Sequence, residues 1–320
     1  MNRLKAFAAF LLVLACSSAW AQAYPSKPVK IIVPFAPGGA TDIVTRLVAQ
    51  KLTETWGQTV IVENRSGAGG NIGGEAAATA APDGYTLFMT SGSIVTANPY
   101  IYKKMAFDPA KDLAPITNVA SGPQVIVVNP SFPAKTLKEF IDAARAKPGA
   151  LNYGHAGIGT QTHLAAENFL SAAKLDVASI PYKGEGPAMT DLIANQINMV
   201  TANIAGAIGS VNQGKLRALA VTGKERSPQL PNVPAAAETL PGFENVGWFG
   251  LMAPAATPKA IIDKVYQDTA KILDSTEMRA RFYVLGMVPV GNTPAQFADA
   301  IREESKHWEK IVRERKISVN

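Results

Sequence analysis

The chain reads as an α/β fold of two lobes, each a mostly parallel sheet flanked by helices, hinged like a clamshell. Three observations predict it. From Val29 onward, apolar β-branched runs alternate with stretches of helical period, the rhythm of parallel strands joined by right-handed crossovers. That rhythm pauses near residue 113 and restarts after Pro130. Two apolar segments, residues 113–128 and 247–253, stand outside it as crossings between the repeats. Two crossings make a hinge, and closure around a ligand is its usual use. The boundaries follow: residues 24–123 with 250–320 form lobe 1, and residues 124–249 form lobe 2.

Each element has a local cause. Ile31, Ile32 and Val33 suit an interior strand. Pro34 and Pro37 end its ladder, because neither can donate a backbone hydrogen bond. Ile43, Val44, Leu47, Val48 and Leu52 recur at helical spacing. Strand 59–63, a glycine-rich loop 64–74, a helix at about 74–80 and strand 85–90 complete the first repeat. The crossing at 113–128 reads as two apolar runs broken at Ser121-Gly122-Pro123. The second repeat has helices at 136–146, 162–170, 188–196 and 205–212, and strands at 150–153, 177–182, 197–203 and 216–222. Residues 223–243 are proline-rich and irregular. Helices at 258–273, 276–285 and 294–313 return to the first lobe, the last capped by Asn292-Thr293 with Pro294 in its first turn.

The composition sets limits. With 320 residues, 47% of them hydrophobic, the chain can bury two cores. Arg3 and Lys5, the apolar run 6–15 and the A-x-A patterns at 19–21 and 21–23 read as a cleaved signal peptide, residues 1–23. The run is too short to span a membrane. The expected compartment is therefore the periplasm. The only cysteine, Cys16, lies inside this segment; lipid anchoring through it is the lesser alternative to cleavage after Ala21 or Ala23. The mature chain then has no disulfide, thiol nucleophile or thiolate metal site. Net charge is +6, of which Arg3 and Lys5 supply two, leaving +4 spread over the surface. That balance does not make a nucleic-acid stripe.

The candidate site is the carboxyl rim of the strands. Residues 34–42 form a Pro/Gly loop feeding a helix N-terminus, where unpaired N–H groups and the helix dipole favour an anion. Phe35, Pro37, Gly38, Gly39, Ala40 and Asp42 are the expected ligand contacts there, with Asp42 a first-turn residue of that helix rather than a catalytic acid. Ser91 and Ser93 fall on the same rim, after strand 85–90. In the second lobe Gly157, Gly159, Thr160 and Gln161 precede a helix in the same way and face the same cleft, with an N-cap at Thr160 or Thr162 as the plainer reading. Lys183 and Asn203 end strands at the rim; each is either a ligand contact or an ordinary loop residue. The loop 67–74 lines the cleft or is merely its rim; Ile72 stands where a dinucleotide fingerprint needs its third glycine, and no P-loop lysine follows. His155 and His163 lack metal-ligand spacing, and His163 reads as a helix-surface residue. No G-x-S-x-G elbow occurs. The expectation is a binder with no catalytic residue, metal or cofactor; the alternative is an exported α/β hydrolase, or a binder feeding a membrane sensor.

Four strings together resemble one family: PFAPGGATD (34–42), ENRSGAGGNIGGEAAA (63–78), PYKGEGPAMTDLIANQI (181–197) and GKLRALAVTGKERSPQLPNVPAAAE (214–238). They are similar to the extracytoplasmic solute-binding proteins of tripartite tricarboxylate transporters, the Bug family. The resemblance spans the mature chain. It implies a type II periplasmic-binding-protein-like clamshell that takes a small mono-, di- or tricarboxylate to the membrane subunits of a transporter, as a monomer. It also implies that backbone groups of 34–42, and of the loops at Ser91 to Ser93 and Gly157 to Gln161, hold the ligand carboxylate. The chain departs from the family at Asn198-Met199-Val200-Thr201, often an acidic Asp-Leu-Met-Phe-like strand, and at Asn195, usually glycine.

Overall fold

The structure is a computed structural model that describes residues 24–315. The signal segment 1–23, its cleavage sites and Cys16 lie outside the described residues. In chain order the first half runs β1 (Val29–Val33), α1 (Ala40–Trp56), β2 (Val60–Asn64), α2 (Asn71–Ala78), β3 (Thr86–Ser91), α3 (Gly92–Thr96), α4 (Asn98–Ile101), α5 (Pro109–Asp112) and β4 (Leu113–Val128). There follow α6 (Leu137–Ala146), β5 (Asn152–His155), α7 (Gln161–Ala173), β6 (Ala178–Pro181), α8 (Glu185–Ile193), β7 (Met199–Asn203), α9 (Ile204–Asn212) and β8 (Arg217–Val221). The chain closes with β9 (Val246–Pro254), α10 (Lys259–Asp274), α11 (Thr276–Val284), β10 (Val288–Pro289) and α12 (Pro294–Arg315).

The strand order is β2-β1-β3-β9-β4-β7-β5-β6, with β8 and β10 also pairing with β4. Each lobe has a parallel trio, β2-β1-β3 and β6-β5-β7. The strands joining them run antiparallel: β9 on β3 and on β4, β4 on β7 and β8. The sheet is therefore mixed, because the crossing strands carry the chain between lobes without a helical crossover. The 113–128 crossing is one continuous strand, not two broken runs. It changes partners where the break was expected: up to Pro123 it pairs with β9, and from Gln124 with β7 and β8. A proline that cannot donate is tolerated where the ladder is already being handed over.

Helix α8 begins at Glu185, three residues earlier than the sequence suggests. Pro187 sits in its first turn, where the missing N–H has no intrahelical partner to lose. This brings Glu185 into the rim. Strand β5 runs two residues later than expected and takes His155 into the sheet. Asn195 has φ +57°, a left-handed conformation that asparagine and glycine both tolerate, which accounts for the departure at that position. The main apolar core runs through both lobes, with Ile31, Val44, Val48 and Leu52 on one side and Leu192, Val200 and Ile208 on the other. A second core around Phe140, Tyr153 and Phe169 belongs to the second repeat alone.

Candidate functional site

The loop after β1 is locked from below by Asp42. Gly38 has φ +87°, which glycine adopts without strain. Its N–H donates to Asp42 Oδ2 at 3.1 Å. Arg46 donates to both carboxylate oxygens at 2.9 Å, and Asn64 Nδ2 to Oδ1 at 2.9 Å. The same Asn64 amide holds the Phe35 carbonyl at 2.9 Å. Burial alone would raise the Asp42 pKa, but the bonds from Arg46, Asn64 and Gly38 outweigh it and leave the carboxyl below its ordinary value. Asp42 borders the cleft, yet both its oxygens are engaged in shaping the loop.

The facing loop of the second lobe is held by histidines. Gly157 N–H donates to His155 Nδ1 at 3.2 Å, and Gly159 N–H to His163 Nδ1 at 3.3 Å. Those two donors, expected to grip a ligand, are spent inside the lobe. His163 is buried, not on the helix surface, with its ring 4.5 Å from that of His155. Because each Nδ1 accepts, each neutral ring carries its proton on Nε2, and His155 Nε2 lies 2.9 Å from Ser179 Oγ as its donor. Burial pushes the His155 pKa down to about 3, helped by His163, and that of His163 down to about 4. The folded chain thus binds fewer protons than the unfolded chain between these values and 6.5, so the pair contributes stability above pH 6.5 that is lost as pH falls toward 4. Ring-carbon NMR shifts of both histidines are expected to stay flat from pH 8 to about 5.5; a midpoint near the ordinary histidine value of about 6.5 would contradict the burial account.

The two loops meet across the cleft. Ala36 N–H donates to the Lys183 carbonyl at 3.1 Å, and Ala40 N–H to Glu185 Oε2 at 3.1 Å. A Cβ on Gly186 would lie 2.4 Å from the Pro37 carbonyl oxygen, so glycine is what lets the jaws approach. Between them remains a cavity of about 10 Å³, room for about one water. Phe35, Ala36, Gly39, Thr41, Asp42 and Ser91 line one side of it, and Ala156, Thr160, Gln161, Thr162, Glu185 and Asn203 the other.

The first turns or N-caps of α1, α3, α7, α8 and α9 all border this cavity. Thr160 caps α7 by accepting His163 N–H at 3.4 Å, while the N–H groups of Gln161 and Thr162 have no acceptor within the helix. Helix dipoles and free donors converging on one point make an anion-favouring site.

Of the residues singled out in the sequence, Phe35, Gly39, Asp42, Ser91, Thr160, Gln161 and Asn203 come together here. Ala40 contributes its N–H to Glu185. Pro37 and Gly38 shape the loop without lining the cavity; Ser93 stands behind Ser91, their hydroxyls 3.4 Å apart. Gly157 and Gly159 brace the opposite loop. Lys183 has an exposed side chain and offers its carbonyl instead of its ammonium, because the chain turns inward only at Gly184. Ala36 and Thr41 were legible only as members of the loop 34–42 and Thr162 only as a possible cap; Ala156 and above all Glu185 were not singled out in the sequence. The available signal for Glu185 was a charged residue between two glycines, Gly184 and Gly186, immediately after a rim strand.

Glu185 is buried, and its Oε2 accepts from Ala40 N–H and, at 3.2 Å, from Asn203 Nδ2. Burial raises its pKa to about 7 despite those bonds. Among the described residues no cluster of His, Cys, Asp and Glu could hold a metal ion, and no helix is long and apolar enough to cross a membrane.

A two-lobed α/β clamshell whose cleft gathers helix N-termini defines a solute-binding protein of the periplasmic-binding-protein type. The chain belongs to the tripartite tricarboxylate transporter family receptors, whose family model matches residues 44–317. It is 36% identical to protein BugT of Bordetella pertussis over 92% of this chain and 91% of that one. Among solved structures, Rpa4515 of R. palustris with adipate shares 33% identity at TM-score 0.88, covering 91% of this chain and 97% of that one. MatC (Rpa3494) of Rhodopseudomonas palustris, with bound malate, shares 34% at TM-score 0.85, covering 90% and 100%.

Proposed function

We propose that this chain captures a small organic carboxylate between residues 34–42 of one lobe and 156–162 of the other, and delivers it to the membrane subunits of a tripartite tricarboxylate-type transporter. The observation carrying this is the convergence of helix N-termini on one interlobe cavity, with first-turn N–H groups of α7 left over. Adipate and malate in the related structures fit the same ligand class. The lobes are residues 24–123 with 250–320, and 124–249; the chain acts as a monomer, since both jaws come from it. It works in the periplasm after loss of residues 1–23, and it binds without turning its ligand over.

A thermal-shift screen with mono-, di- and tricarboxylates tests this. A ligand at a hundredfold excess over its dissociation constant is expected to stabilise the folded chain by about 2.7 kcal/mol. Hydrolysis of an ester, with no carboxylate raising the melting temperature, would overturn the reading in favour of an exported hydrolase.

A further inference from the structure

Strand β3 ends at Ser91, opposite Phe249, so the preceding residue of β9, Trp248, has a ladder partner on one side only, Ser121 of β4. Its carbonyl is taken by a side chain of the facing jaw: Gln161 Nε2 donates to it at 2.6 Å. A Cβ on Gly247 would lie 2.0 Å from Gln161 Oε1, so both ends of the amide rest on the β9 backbone. Gln161 is the first residue of α7, and its own N–H is one of the free donors at the cavity.

The Trp248 ring is held in its turn. A Cβ on Gly92 would lie 2.7 Å from the ring, and the Phe297 ring stands edge-on at 5.2 Å. The indole Nε1 donates to Glu304 Oε2 at 2.6 Å. Glu304, half-buried on α12, also accepts at Oε1 from Thr96 Oγ1 at 3.1 Å and from Trp308 Nε1 at 3.2 Å. Trp308 packs against a buried cluster that joins Val312 of α12 to Leu164 of α7. Helix α7 is thus tied to α12 twice, once through Trp248 and Gln161 and once through Leu164. Donors meet both oxygens of Glu304, and only a carboxylate can accept on both; an amide offers one acceptor and one donor. None of its three partners lines the cavity, so any effect of Glu304 on the ligand passes through another residue.

We propose that Glu304 is a positioning residue for ligand capture. By anchoring the Trp248 indole it fixes the carbonyl that seats Gln161, and so sets the first turn of α7 at the cavity. Without the anchor the start of β9, which has no strand beside it opposite β4, relaxes and Gln161 loses its seat. This inference rests on the carboxylate reading above.

Hydrogen exchange of the Gln161 side-chain amide, followed by NMR on the full chain, tests it together with calorimetry using malate and adipate as probes. In wild type the amide is expected to exchange slowly. In Glu304→Gln it is expected to exchange about tenfold faster or more, while the backbone amides of β1 and β5 keep their rates. Affinity for whichever acid wild type binds is expected to fall about tenfold. A merely structural role would lower the melting temperature and leave the Gln161 amide as it is; unchanged exchange in a folded Glu304→Gln would therefore overturn the inference. Faster exchange with unchanged affinity would overturn it too. If Glu304→Gln does not fold, Trp248→Phe, which deletes the indole N–H, is expected to free Gln161 in the same way, and an unchanged amide there overturns the inference. A wild-type amide exchanging as fast as an exposed one overturns it with no variant at all. Binding of neither acid by wild type would count against the carboxylate reading alone, and the amide exchange still decides the part given to Glu304.

Discussion

Gly186→Val is expected to weaken carboxylate binding by a hundredfold or more, about 2.7 kcal/mol, while leaving the unliganded fold intact. Even a single added carbon at this position would sit 2.4 Å from the Pro37 carbonyl oxygen, and that oxygen is backbone of the opposite jaw. It cannot rotate away as a side-chain tip could. The contacts that depend on this approach are Ala36 N–H to Lys183 and Ala40 N–H to Glu185. With the lobes apart, the same valine meets no such obstacle, so it acts on closure and not on folding. Calorimetry on the purified variant, with circular dichroism as the folding control, checks this. Unchanged affinity in a well-folded variant would show that binding does not need the jaws to approach as described.

The largest effect on stability outside the apolar cores is expected from Asp42→Ala. Four hydrogen bonds end on this buried carboxylate, two of them from Arg46. Arg46 is half exposed and can be rehydrated, which limits the loss. The N–H of Gly38 and the amide of Asn64 are left to find new partners. A cost of roughly 2–4 kcal/mol follows. At roughly 2–4 °C per kcal/mol, the melting temperature is expected to fall by about 4–16 °C. Carboxylate affinity is expected to fall with it, because the 34–39 loop loses its anchor. Thermal denaturation measures the first and calorimetry the second. A variant melting within a degree of wild type would show that Arg46 and Asn64 are not what fixes the loop.

The fold was largely legible because its signals are local. The β-branched run in β1, the helical spacing of Val44, Val48 and Leu52, and the Pro/Gly loop between them each act within a few residues. The misreadings arose where a distant partner decides. Pro123 looks like a break until β4 is seen changing from β9 to β7 and β8 at that point. His163 looks like a surface residue until His155 and the Gly159 N–H close over it. The site divides in the same way. The rim position of Phe35, Gly39, Ser91 and Thr160 follows from strand ends alone. That Gly157 and Gly159 would spend their donors on imidazoles does not, since it depends on the orientation of two rings. Glu185 was hidden for a related reason: its carboxylate reaches across to a helix 145 residues earlier in the chain.

The central claim is that a ligand carboxylate is held in the cavity between the two loops. The most direct test is a crystal structure of the chain with whichever carboxylate raises its melting temperature most. A carboxylate oxygen is expected at about 3 Å from the Gln161 or Thr162 backbone nitrogens at the start of α7. A carboxylate bound instead in the apolar cavity of about 490 Å³ between α1 and α11, lined by Ile43, Leu47, Val284 and Leu285, would contradict it.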